Sequence, residues 1–258
     1  MSTPHLTPAS FLSGTELPPE WAAADVALIC FTPLPAAFDE YVVGISADRY
    51  FLHSPPSEVR LCRFGETAFV VISEVYGFAV GATTVEELVH HGFRHIIGVG
   101  FVGAMNGARH GQRFLARDVM SDLPLAAHYG IGADVRCEPT KDLATLVASC
   151  METDEAGLTE YTVWNGNSLY REYAETLRTM TDKGCDVVNM DTLSVYAVTP
   201  VCAEERQREV SCVYVGTVSD EIRDGATAEV LGGAVKKRDN PDHDELVRFI
   251  VETVLPQL

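Results

Sequence analysis

One carboxylate in this chain stands where an α/β enzyme keeps a proton donor, and a second opens a helix upstream of it. Val213 to Val218 is an apolar run that ends in Ser219 and Asp220. An acid at the mouth of such a strand suits a proton donor. Ser and Asp are also favoured helix caps, so one of the pair could equally start a following helix. Upstream, Asn189, Met190 and Asp191 open a helical pattern, and a carboxylate there gains from the helix dipole. Weaker signals lie elsewhere. Gly98, Gly100 and Gly103 spell a GxGxxG dinucleotide pattern after a strand, but Ala104 to Arg109 reads as a turn rather than a helix start. His90, His91 and His95 could suggest a metal, yet they cluster at a helix end without an arranged carboxylate. No metal and no cofactor is expected.

The elements that must position these residues alternate. Asp25 to Phe31 is a near-continuous apolar run, as in a strand covered on both faces. Val59–Cys62 and Thr67–Ser73 form a hairpin pattern around Gly65. Thr83 to His91 has helical spacing and stops at Gly92. His95 to Phe101 is the next strand. Helices are expected over Lys141–Met151, Tyr170–Lys183, Asp191–Glu205 and Asp242–Leu255. The expected fold is therefore one α/β domain over residues 1–258: a mixed, mainly parallel twisted sheet flanked by helices. The Pro-rich opening, residues 1–22, reads as an arm.

Composition sets outer limits. At 258 residues and 47% apolar, the chain can bury one full core. Its net charge is -18, from 37 Asp+Glu against 19 Lys+Arg. That excess repels nucleic acid and anionic membrane, so neither is an expected partner. No apolar run reaches the roughly 20 residues of a membrane helix. Met1 to Ser13 lacks a basic start and a long apolar stretch, so no secretory signal is expected. Seven scattered cysteines without a CxxC pattern point to reduced, mostly buried thiols and a cytoplasmic setting.

Five segments, in order, resemble the purine nucleoside phosphorylase and uridine phosphorylase superfamily, closest in layout to the bacterial hexameric purine enzymes. They are Ser2–His5, Thr32–Leu34, Thr83–Gly107, Val188–Val195 and Thr217–Ile222. The resemblance implies a nucleoside substrate and a homo-oligomer. It makes Asp220 the acid that protonates or hydrogen-bonds purine N7, with Ser219 beside it. It puts Asp191, next to Asn189, where the family has a glutamate on the ribose hydroxyls; the missing methylene leaves that carboxylate roughly 1.5 Å short. Met190 packs on the sugar. His5 would reach the 5'-hydroxyl in a neighbouring subunit. Leu169 and Tyr170 fall near the base-stacking aromatic, with Trp164 upstream, and Tyr76 falls where a methionine meets ribose.

The departures concern phosphate. By resemblance, Phe31 replaces a glycine, Pro35 an arginine, Gly98 a second arginine and Phe101 a hydroxyl residue. Arg49 and Arg60 are the nearest candidates for a third, neighbour-supplied arginine. A dianion against such bulk would be costly to bury. Hydrolysis is the first expectation, with Asp39, Glu40 or Glu74 as a base for water. Phosphorolysis or ribosyl transfer at a remodelled anion site, and non-catalytic nucleoside binding, are the alternatives.

Overall fold

The computed structural model describes residues 4–151, 157–222 and 240–258. A nine-stranded mixed sheet forms its centre, in the order β2-β3-β4-β1-β5-β8-β7-β6-β9. The strands are β1 Val26–Cys30, β2 Val42–Ile45, β3 Val59–Phe64, β4 Thr67–Ile72, β5 His95–Ala104, β6 Arg113–Met120, β7 Thr159–Asn165, β8 Val187–Asn189 and β9 Ser211–Glu221. β5 also pairs with β9, so β5, β8, β7, β6 and β9 close a ring. β1 lies between β4 and β5, parallel to both. β2, β3 and β4 form an antiparallel extension at the other side.

The uniform apolarity of β1 has a direct cause. Ala27 and Ile29 point into one core layer with Val85 and Leu88 of helix α3 (Gly77–His91) and Val195 of helix α6 (Thr192–Glu205). Val26, Leu28 and Cys30 point into the other, with Leu143 of α4 (Lys141–Met151) and Leu246 of α7 (Pro241–Phe249). Both faces are covered, so no position needs a polar side chain. Truncating fully buried Leu28 to Ala would cost about 2–5 kcal/mol. α6 is buried almost all round from Thr192 to Thr199, which explains its lack of a polar stripe.

Several boundaries differ from those expected. α3 starts at Gly77, six residues before Thr83. The small residues there hide the helical period, but they serve packing: a Cβ on Gly81 would lie 2.3 Å from Ser194 Oγ on α6. The expected helix Tyr170–Lys183 is instead a single 3-10 turn, Leu169–Arg171, followed by α5, Ala174–Asp182. The C-terminal helix changes to a π turn at Ile250–Val254 and a 3-10 turn at Leu255–Gln257, the latter entered at Pro256. The N-terminal arm contains α1 (Pro8–Phe11) and α2 (Pro19–Ala22), and it is anchored by buried Leu12 and Trp21. All seven cysteines are buried thiols outside any disulfide. No helix among the described residues is long and apolar enough to cross a membrane.

The Gly98-Val99-Gly100 pattern is a bed for an aromatic ring. Tyr214, on the neighbouring strand β9, lies across it: a Cβ would fall 2.5 Å from Tyr214 Cδ2 at Gly98 and 2.1 Å from its hydroxyl at Gly100. The same strands nearly touch at Gly216, where a Cβ would lie 2.2 Å from the Gly100 carbonyl oxygen. Tyr214 stacks in turn on Phe31 and Phe114, with ring centroids 5.6 and 6.2 Å apart. Gly100→Ala should therefore overpack this layer and cost about 1–3 kcal/mol. A lowered urea midpoint with unchanged slope is the expected result; an unchanged midpoint would contradict this packing.

Candidate active site

A single pocket opens where β1, β5, β8 and β9 end, the usual place for a ligand in an α/β sheet. It is a cleft partly open to solvent, lined mainly by apolar side chains with a few acids and amides among them. Asp220, Ser219, Asp191, Met190, Asn189, Leu169, Tyr76 and Phe101 all border it, although they come from five separate stretches of chain.

A bulge aims Asp220. β5 and β9 run in register from His95↔Ser211 to Val102↔Val218, then slip so that Gly103 pairs with Asp220. Ser219 is the extra residue, and such an insertion re-aims the side chains beside it. Its hydroxyl lies 2.8 Å from Asp220 Oδ1 and 3.2 Å from the Val102 carbonyl oxygen. Asp220 is thus part of β9, which continues to Glu221. The helix it was weighed as capping would follow β9, where residues 223–239 lie outside the described residues. Burial raises the Asp220 carboxyl above the usual range, opposed by the Ser219 hydrogen bond and by His110. It is an acid better able to keep its proton than one in water.

Asp191 marks another wall. It stands at the N-cap of α6 without capping it. Asn189 takes that work: its Oδ1 accepts from the Asp191 and Thr192 amides at 3.3 and 3.4 Å, and its Nδ2 donates to Thr192 Oγ1 at 2.8 Å. The Asp191 carboxylate is left to reach α3, where Oδ1 accepts the Gly77 amide at 2.8 Å. It therefore sits at two helix N-termini. Burial nevertheless dominates and pushes it up to about 7.

The walls around these acids are apolar. Phe31 and Phe101 both line the pocket. Phe101 rests on His243 of α7, with ring centroids 4.4 Å apart. His243 is buried, which lowers its imidazole to about 3 and keeps it neutral; its Nδ1 lies 3.2 Å from Thr217 Oγ1. Pro35, expected beside the two phenylalanines, is not on the wall; it precedes the 3-10 turn Ala36–Glu40.

Other expected residues lie elsewhere. Tyr170 is 87% exposed and outside the pocket, because the 3-10 turn carries Leu169 inward and turns Tyr170 to solvent. His5 is exposed and does not reach the pocket of its own chain. Trp164 is buried and donates to Asp122 at 2.8 Å. Glu40 pairs with Arg248 at 2.9 Å, and Asp39 is exposed; neither borders the pocket. Glu74 is exposed at a left-handed φ of 59°, and its amide donates to the carbonyl of pocket residue Thr32 at 2.9 Å. Arg49 donates to the Leu52 carbonyl, and Arg60 lies 3.7 Å from Glu58. The three helix-end histidines have structural contacts: His90 with Arg206, His91 with the Tyr50 carbonyl, His95 with Ser211.

One pocket residue escaped the sequence reading. Glu172, just after the Leu169–Arg171 turn, lines the wall. Burial, and then the field of Asp220, push its carboxyl up to about 7. Its clue was its place two residues after Tyr170, in a segment already marked for the base.

A family model described as the phosphorylase superfamily matches residues 30–251. The chain belongs to this superfamily. Over its whole length it is 35% identical to an uncharacterized protein, R802, of Acanthamoeba polyphaga mimivirus, and it covers that protein completely. The fold is shared with a Vibrio fischeri uridine phosphorylase at a TM-score of 0.69 and 17% identity, covering 96% of this chain and 99% of that one. It is shared also with the Campylobacter jejuni 5'-methylthioadenosine/S-adenosyl homocysteine nucleosidase, at 0.66 and 14%, covering 89% and 98%.

The Asp191 shift has a consequence for stability. Its folded value is raised above its ordinary 3.8, so between the two values the folded state holds more protons. Its contribution is present at low pH and is lost as pH rises through about 7. The Tm of Asp191→Asn relative to wild type should rise between pH 4, near the ordinary value of 3.8, and pH 8, by about 2–4 °C per kcal/mol recovered. Thermal melts of the unliganded protein at both pH values check this; a difference independent of pH would refute it.

Proposed function

We propose that this protein cleaves the N-glycosidic bond of a purine or purine-like nucleoside, with water as the acceptor. The observation that carries the reading is the pairing, in one pocket, of a half-buried acid on a strand bulge with a buried carboxylate at two helix N-termini. Such a reaction needs a proton for the departing base and a negative partner for a ribose that becomes cation-like. Asp220, raised by burial, holds the proton and passes it to the base nitrogen as the bond breaks. Asp191, ionised when it meets the sugar hydroxyls, accepts their hydrogen bonds and faces the growing positive charge. Asn189 frees it for this role by taking over the helix cap.

Water is favoured over phosphate by the walls. Phe31 and Phe101 offer a dianion neither charge nor donors, and the ring behind Phe101 is a neutral histidine. Leaving an anion's oxygens unpartnered there would cost several kcal/mol. The fold itself does not choose, since one similar structure is a phosphorylase and the other a nucleosidase. None of the three bases weighed for water borders the pocket; Glu74 is joined to a pocket segment only by its backbone amide, which donates to the Thr32 carbonyl. The same reading assigns exposed His5 to the sugar end of a neighbouring chain's pocket in a homo-oligomer.

Incubation with a purine nucleoside panel, with and without phosphate, should release free base without phosphate. Asp220→Asn should lower that rate by about 10² to 10⁴ while nucleoside still binds. Release only in the presence of phosphate would overturn the choice of water. Binding without any cleavage would make the protein a nucleoside receptor, and full activity of Asp220→Asn would remove that residue from the mechanism.

A further inference from the structure

We infer that the rings of Phe31 and Phe101 are catalytic groups, whose electron-rich faces stabilise the positive charge that develops on the sugar in place of an anion. This rests on the N-glycosidic reading above. As that bond breaks, its electron pair leaves with the base, the base nitrogen takes the Asp220 proton, and the sugar carbon is left short of electrons. Water then bonds to that carbon and releases a proton to solvent, from which Asp220 is restored. Between the two events the sugar carries positive charge, and the pocket has to face it.

The lining suits a cation. Glu172, Asp191 and Asp220 border the pocket, and among the described residues no Lys, Arg or His lines it. Contacts put Phe31 at the sugar end. Gly77 and Gly81 stand one turn apart on α3, about 6 Å along its axis. The Gly77 amide donates to the Asp191 carboxylate at 2.8 Å, and a Cβ on Gly81 would lie 3.0 Å from Phe31 Cε1. The ring edge is thus about one helical turn from the acid that meets the sugar hydroxyls. Phe101 stands beside it: the Phe31 amide donates to the Val99 carbonyl at 2.8 Å, two residues before Phe101 on β5. One residue farther, the Val102 carbonyl accepts from the Ser219 hydroxyl, which also donates to Asp220. The two rings therefore span the wall between the sugar acid and the proton donor, where the glycosidic carbon must lie.

An aromatic face attracts a cation through its quadrupole, and more strongly where water is excluded. Neither ring is backed by a charge. Phe31 packs on Tyr214 with centroids 5.6 Å apart, and Phe101 on His243 at 4.4 Å, an imidazole that burial keeps neutral. A merely apolar wall would exclude phosphate equally well, but it would offer the transition state nothing. An attraction to the cation acts only as the charge appears, so it raises kcat and leaves KM alone.

The test replaces Phe101, and separately Phe31, by phenylalanines bearing one, two or three ring fluorines. These keep the shape and apolar character of the ring while withdrawing electrons from its face. With the purine nucleoside that wild type cleaves fastest, kcat should fall stepwise with fluorine number, by about 10-fold or more across each series, while KM and Tm stay near wild type. Phe101→Leu, which keeps an apolar wall without a ring, should lose at least as much. A flat kcat series at one position removes that ring from the mechanism; flat series at both overturn the inference and leave the cleavage reading standing. If no nucleoside is cleaved, the N-glycosidic reading fails separately. The rings are then read by calorimetric binding of a purine nucleoside analogue whose sugar is a cationic pyrrolidine, against its neutral tetrahydrofuran counterpart. The advantage of the cationic analogue should shrink along the same series, and a constant ratio overturns the attraction to a cation.

Discussion

The pairing of β5 with β9 is the constraint on which the rest of the structure depends. It closes the ring of strands, and it brings two backbones together at Gly100 and Gly216 with no room for a side chain. It lays Tyr214 over Gly98 and Gly100. At its far end it slips by one residue, and that slip puts Asp220 in the pocket. The strand that closes the ring thus carries the acid. In the proposed reaction Asp220 is the proton donor, and its placement needs such support because small displacements weaken proton transfer steeply.

Electrostatics pull the other way. The chain carries a net charge of -18, yet three acidic side chains are brought into one pocket and each is raised by burial. Removing carboxylates from water disfavours their charged form, and at Glu172 and Asp220 they also oppose each other. None of this helps the empty protein fold. A ligand that donates hydrogen bonds to these carboxyls would relieve it. The pocket is a place where local stability yields to function, as strained and under-satisfied groups at sites commonly do.

Much of the fold was legible because its strands are extreme. β1 and β9 are apolar without alternation, and the glycines after α3 and between β3 and β4 take the left-handed φ their turns require. β6 and β7 were missed: Arg113, Asp118 and Thr162 break their apolar runs, although the fold buries these residues. The site was legible where resemblance supplied order, as at Ser219–Asp220 and Asn189–Asp191. Resemblance gave out where the chain between β7 and α5 takes its own path. There, one 3-10 turn exchanged Tyr170 for Leu169 and brought in Glu172, and no periodicity in Ser168–Tyr173 announces such a turn.

The altered anion side is best understood as one coupled change rather than several. The resemblance places an arginine at position 98, but a Cβ there would already meet the Tyr214 ring at 2.5 Å. No side chain of any kind fits at 98 while Tyr214 keeps its place. Tyr214 is held in turn by Phe31 on one side and Phe114 on the other, and its amide donates to Tyr196 at 2.9 Å. Phe31 is also the residue standing for the family glycine beside the anion. Restoring the glycine alone would therefore undercut Tyr214, and restoring the arginine alone would displace it. Phe101 is supported separately by His243, a neutral ring buried beneath it. Close-packed interiors resist such changes one residue at a time. The apolar wall is a built layer of the core that reaches the pocket, and placing an arginine at 98 or a glycine at 31 would require repacking that layer as a unit.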